Sequence, residues 1–186
     1  QNHGLQNGFM GNRKVQVVAV SDCDTNRRDA ARDRANNKYQ NKDCKTYADW
    51  RELTERKDID TVCIATPDHW HAVQTVAALE SGKDVYCEKP LAMDLASARE
   101  MLHVAHESGR THQVTFQYRF VPAIMRAKQL IDEGLVGAPL AFRFCYLHAG
   151  YTDGQRPMSW RLDSSKSGGG ALFDLGSHAI DLVQHL

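Results

Sequence analysis

The sequence predicts an α/β fold: a doubly wound parallel sheet whose first strand is missing, followed by the start of an α+β domain. Three observations carry that reading. Short β-branched runs alternate with helical stretches through the first two thirds of the chain, the signature of βαβ units. Each strand run stops at a cluster of polar residues. Past Val114 to Tyr118 the rhythm changes, which divides the chain into a parallel, doubly wound domain over 1–115 and the beginning of a second domain over 116–186.

Val15 to Val20 (VQVVAV) is the first strand run, and it ends in the turn Ser21, Asp22, Cys23, Asp24. Thr25 is placed to cap a helix from Asn26 to Asn36, whose alanines and paired charges favour helix. A short helix follows around Trp50 to Glu55. Thr61 to Ala65 is almost wholly apolar, as a strand covered on both faces should be. Thr66, Pro67 and Asp68 stop it and open a helix from His69 to Ser81, closed by Gly82. Lys83 to Cys87 is the next strand. Asp94 then caps a helix from Leu95 to Ser108 with an apolar stripe of Leu95, Ala98, Leu102 and Ala105, and Gly109 closes it. Thr111 to Phe116 reads as a strand, Ala123 to Glu133 as a helix ended by Gly134, and Leu140 to Leu147 as a long strand. A loop of about twenty residues, Ala149 to Gly168, precedes a last helix from about Gly170, and loops of that length are usually functional.

Composition narrows the function. The 186 residues are 42% hydrophobic and 25% charged, which excludes disordered and collagen-like chains. Lys plus Arg equals Asp plus Glu at 23 each, so no basic excess exists to neutralise nucleic-acid phosphates. The apolar runs fall far short of the ~20 residues that cross a bilayer, so no membrane association is expected. Five cysteines (Cys23, Cys44, Cys63, Cys87, Cys145), odd in number and without a CxxC, fit neither a disulfide framework nor a zinc site. They point to a reducing compartment, the cytoplasm. The chain opens on Gln1 and Asn2 and closes inside a helical pattern, so a piece of a longer protein is expected.

Open parallel sheets bind ligands beyond the carboxyl ends of their strands, where strand order reverses. Asp22 ends the first strand run; a carboxylate there can accept both ribose hydroxyls of an adenosine and repel a 2′-phosphate, favouring NAD over NADP. It serves equally as a turn residue bonding its own backbone. No GxGxxG is present, but Gly4 lies near the distance before the acidic residue expected of that motif's last glycine. Glu88, Lys89 and Pro90 form the strongest local signal: a lysine at a strand end can orient or protonate a substrate oxygen, and a proline stiffens the turn, one route being a cis bond. The same tripeptide also suits a solvated surface. In GGGALFDLGSH, Gly168 to His178, Asp174 and His178 share a helix face at i, i+4, placing a carboxylate beside an imidazole fit for acid and base work. A structural pair is one alternative. A metal site, which would need a third converging ligand, is the weaker one, because His69 and His71 diverge about Trp70. Arg119, Trp160 and Arg161 suit a polyhydroxylated or carboxylate substrate, or the anchoring of loops.

In order and spacing, VQVVAVSDCD, DIDTVCIATPDHWHAVQTVAALESGKDVYCEKPLA, QYRFVPAIMRAKQLIDEGLVG and SWRLDSSKSGGGALFDLGSHAIDL resemble the Gfo/Idh/MocA oxidoreductases across nearly the whole chain. The resemblance implies an NAD(P)-binding Rossmann domain and a C-terminal α/β domain with an open antiparallel sheet. It implies that Asp22 holds the adenosine ribose, that Thr66, Pro67 and His71 line the cofactor groove, and that Glu88 approaches the nicotinamide ribose. Lys89 matches the catalytic lysine, Asp174 the substrate-orienting aspartate and His178 the general acid/base. The implied reaction is hydride transfer between a sugar or cyclitol hydroxyl carbon and NAD, in a homo-oligomer. An NAD-dependent glycoside hydrolase of the same superfamily and a non-catalytic nucleotide-binding regulator are the competing readings.

Overall fold

The computed structural model describes residues 3–147, 149–150, 152–158, 162–163 and 169–186. The N-terminal half alternates helix and strand: α1 (His3–Gly11), β1 (Ala19–Ser21), α2 (Thr25–Tyr39), β2 (Lys45–Tyr47), α3 (Trp50–Thr54), β3 (Thr61–Ile64), α4 (His71–Glu80), β4 (Asp84–Cys87), α5 (Leu95–Ser108) and β5 (His112–Val114). Beyond it come α6 (Pro122–Asp132), with a proline in its first turn, and α7 (Ser177–His185).

All the strand pairs are parallel and fall into two ladders, β1-β2 and β3-β4-β5. In the dinucleotide-binding order 3-2-1-4-5-6, β2-β1 read as strands 3-2 and β3-β4-β5 as 4-5-6. The described residues supply no strand for position 1, and the core divides at the same place. Ile64, Val85 and Cys87 pack against Ala78 and Leu79 of α4 and Ala105 of α5, whereas Met10, Ala35 and Cys44 form a separate cluster under β1. Lys83, buried between the α4 and β4 ends, satisfies its ammonium by donating to the carbonyls of Arg56 and Ile59 at 2.5 and 2.7 Å, as a buried charge must.

Local signals hold for most elements. Asp94 Oδ1 accepts from Ser97 N at 2.8 Å and Gly109 adopts φ +62, so α5 starts and stops where predicted. Several expectations need correction, and one strand, β2, was not foreseen. The cap of α2 is Asp24, whose Oδ1 accepts from Asn26 N and Arg27 N; Thr25 is already helical, because the extended φ/ψ of a cap falls one residue earlier. β2 is a three-residue strand too short to show periodicity. The helix predicted over 69–81 is a 3-10 turn, Asp68–Trp70, followed by α4. Residues 140–147 form no strand: no described strand pairs with them, and Leu140 and Leu147 stand 97% and 87% exposed. No described helix is long and apolar enough to cross a membrane.

Candidate active site

Parallel strands deliver the residues that follow them to one edge of each ladder. Asp22 follows β1, half-buried; its Oδ1 accepts from Asp24 N at 2.9 Å and its carbonyl accepts from Arg28 Nη1 at 3.1 Å. One carboxylate oxygen therefore makes the turn bond foreseen as the alternative to ribose binding. Gly4 lies in the first turn of α1, the helix that leads to this strand.

Thr66 and Pro67 follow β3, and Thr66 Oγ1 donates to Gln74 Oε1 at 2.9 Å. Glu88, Lys89 and Pro90 follow β4. Glu88 N donates to Ile64 O at 2.8 Å, which binds the turn to the end of β3, and Glu88 Oε2 accepts from Lys89 N at 3.2 Å. The Lys89-Pro90 peptide is cis.

From this turn Lys89 reaches across 85 residues of sequence. Its Nζ donates to Asp174 Oδ1 at 2.6 Å and to the Asp174 carbonyl at 2.7 Å. Asp174 sits in a π turn, Leu172–Gly176, and two glycines shape its surroundings. Gly170 has φ +56, and a Cβ on Gly169 would lie 1.9 Å from the Phe173 ring. The i, i+4 alignment of Asp174 with His178 assumed α geometry; the π turn shifts the register. The carboxylate of Asp174 bonds Lys89, and its charge acts on His178.

His178 opens α7 and is 6% exposed. The Tyr118 ring meets it edge-on at 4.6 Å and the Phe116 ring at 6.1 Å. Its Nδ1 is buried with no hydrogen-bond partner among the described residues. Burial, and after it the charge of Lys89, holds the imidazole below its ordinary pKa; the charges of Asp174 and Asp181 oppose the shift. A neutral ring beside an ammonium-carboxylate pair is equipped to take a proton from a hydroxyl.

Two expected site residues sit differently. His71 is 1% exposed, with both ring nitrogens against main-chain carbonyls, so its side chain packs between the two turns. Arg119, expected at the substrate, has its guanidinium engaged by the buried Asp181, with Nε donating to Oδ2 at 2.9 Å and Nη2 donating to Oδ1. Trp160 and Arg161 lie outside the described residues. Sequence reading missed Asp181, although it stands three residues after His178 on one helix. It also missed Tyr146, whose hydroxyl lies 2.5 Å from that of Tyr118 and which no local pattern marks. Among the described residues no three His, Cys, Asp or Glu side chains converge on a metal position.

A dinucleotide suits this donor set: a carboxylate at the end of β1, and turns after β3 and β4 in the crevice where such folds bind nucleotides. Comparison with known proteins agrees. Residues 1–116 match the oxidoreductase family with an NAD-binding Rossmann fold, and 124–186 match the GFO/IDH/MocA C-terminal domain. The chain is 42% identical over 139 residues to levoglucosan dehydrogenase of Pseudarthrobacter phenanthrenivorans, covering 75% of this chain and 36% of that protein. It is 37% identical over 127 residues to inositol 2-dehydrogenase of Salmonella paratyphi B, covering 68% and 36%. A solved levoglucosan dehydrogenase in complex with NADH and L-sorbose superposes with a TM-score of 0.84 at 33% identity, covering 99% of this chain and 49% of that one. The chain thus spans between a third and a half of the length of these relatives, and it belongs to the Gfo/Idh/MocA oxidoreductase family.

Proposed function

We propose that the whole protein is an NAD-dependent dehydrogenase that oxidises a hydroxyl carbon of a sugar or cyclitol. The observation that carries this reading is the convergence of Lys89, Asp174 and a buried His178 beyond the ends of parallel strands. NAD, when bound, supplies the acceptor for the hydride equivalent leaving the carbon.

The chain's own residues then have distinct tasks. Asp22 accepts from the adenosine ribose, with Gly4 near the pyrophosphate. Thr66, Pro67, Glu88 and Pro90 line the nicotinamide end. Lys89, its Nζ fixed by two bonds to Asp174, orients the substrate oxygen, and His178 takes the hydroxyl proton. Placing these groups in advance accounts for much of the rate gain available to a two-reactant step. Trp160 and Arg161 are assigned to the polyol from the sequence alone. Arg119 acts through Asp181 and has no direct bond to substrate in this reading. Residues 1–115 form the cofactor domain and 116–186 the start of the substrate domain, in a homo-oligomer without nucleic-acid partners. Five free thiols fit a cytoplasmic setting.

The test is a screen of sugars and cyclitols with NAD and NADP, run beside aryl glycosides. Net NADH formation with a polyol is the expected result. Release of an aryl group without net NADH would overturn it in favour of redox-assisted hydrolysis.

A further inference from the structure

His71 is the first residue of α4, and its side chain is among the most deeply buried in the described chain. Nδ1 lies 2.7 Å from the Pro90 carbonyl and Nε2 lies 3.0 Å from the Thr66 carbonyl. These carbonyls belong to different turns, one after β3 and the other after β4, where Lys89 resides. A carbonyl oxygen can only accept, so each contact is a hydrogen bond only when the facing nitrogen carries a hydrogen. Neutral imidazole offers one N–H and the imidazolium offers two.

We infer that His71 is a positioning residue: lodged between the Thr66 and Pro90 carbonyls, its ring ties the turn after β3 to the turn after β4 and so sets where Lys89 meets Asp174. The tie bridges 24 residues of sequence between the two carbonyls, and it pulls on the residue adjacent to Lys89. The Nζ of Lys89 sits within 2.7 Å of two Asp174 oxygens, so a displaced turn would misalign the ammonium that faces the substrate oxygen.

Two measurements on the full-length protein test this. In protein labelled uniformly with 13C and 15N, long-range spectra are expected to show a His71 ring N–H coupled through a hydrogen bond to the Thr66 or Pro90 carbonyl carbon. A ring coupled to neither carbonyl would overturn the inference. The kinetic arm rests on the dehydrogenase reading, whereas the spectrum does not depend on turnover, so the two can fail separately. His71→Asn puts a shorter side chain, unable to span both carbonyls, at the same position. In a variant whose unfolding transition stays cooperative, kcat is expected to fall by about 10- to 100-fold, the scale of a misplaced catalytic group. KM for the polyol should change less than about threefold, since the lost bonds touch no substrate. A kcat within about twofold of the parent would equally overturn the assignment.

Discussion

Val85 and Cys87 of β4 are buried under α4 and α5, while Leu140 and Leu147, from a run just as rich in aliphatic and aromatic residues, face solvent almost completely. Propensity does not separate the two stretches. β4 has neighbours on both sides, β3 and β5, and two helices to cover it; 140–147 has no described strand to bond. A strand is a property of at least two segments, because an unpaired row of N–H and C=O groups gains nothing from being extended out of water. The contrast carries over to the site. Lys89 is launched from the packed half, while Asp174 and His178 come from the segment beyond α6, where the covering is thinner. The Lys89–Asp174 pair joins the two.

The largest effect is expected where the halves meet. His178→Ala in the whole protein should cost at least ~100-fold in turnover because it removes a proton acceptor, and the packing lost against Tyr118 and Phe116 should lower the unfolding midpoint while the transition stays cooperative. Steady-state kinetics beside a urea melt would check both. The pH profile of kcat/KM sharpens the same point. A base must be neutral to act, and burial lowers the pKa of His178 from 6.5, so the acid limb should lie below pH 6.5. A limb above that value would contradict a buried, neutral ring.

Leu79→Ala should come next. It deletes a side chain 1% exposed in the β3-β4-β5 core, and about 2–5 kcal/mol of stability should be lost by urea denaturation. Asp94→Ala removes the α5 cap and should cost about 1 kcal/mol in the same assay. Leu140→Ala, in the 186-residue chain, should change stability by no more than about 0.5 kcal/mol. A loss matching that of Leu79 would show that 140–147 is packed, and the contrast between the two regions would disappear.

What could be read in the sequence acts over a turn or less. The Asp94 cap, the Gly109 stop, the polar residues that end each strand and the positions of Lys89, Asp174 and His178 are legible because their cause is the neighbouring chain or a short motif. The cap of α2 was missed by one residue for a local reason, since Asp24 and Thr25 are both competent caps and only the backbone angles choose between them. Other features had no local cause. Asp174 met Lys89, 85 residues away. Arg119 turned from substrate to Asp181, 62 residues away, and His71 folded inward to bridge two turns. Periodicity and caps are set by backbone bonds among near neighbours. Which donor meets which acceptor across 62 or 85 residues is set by packing, because only the folded chain brings buried polar groups close enough to satisfy one another.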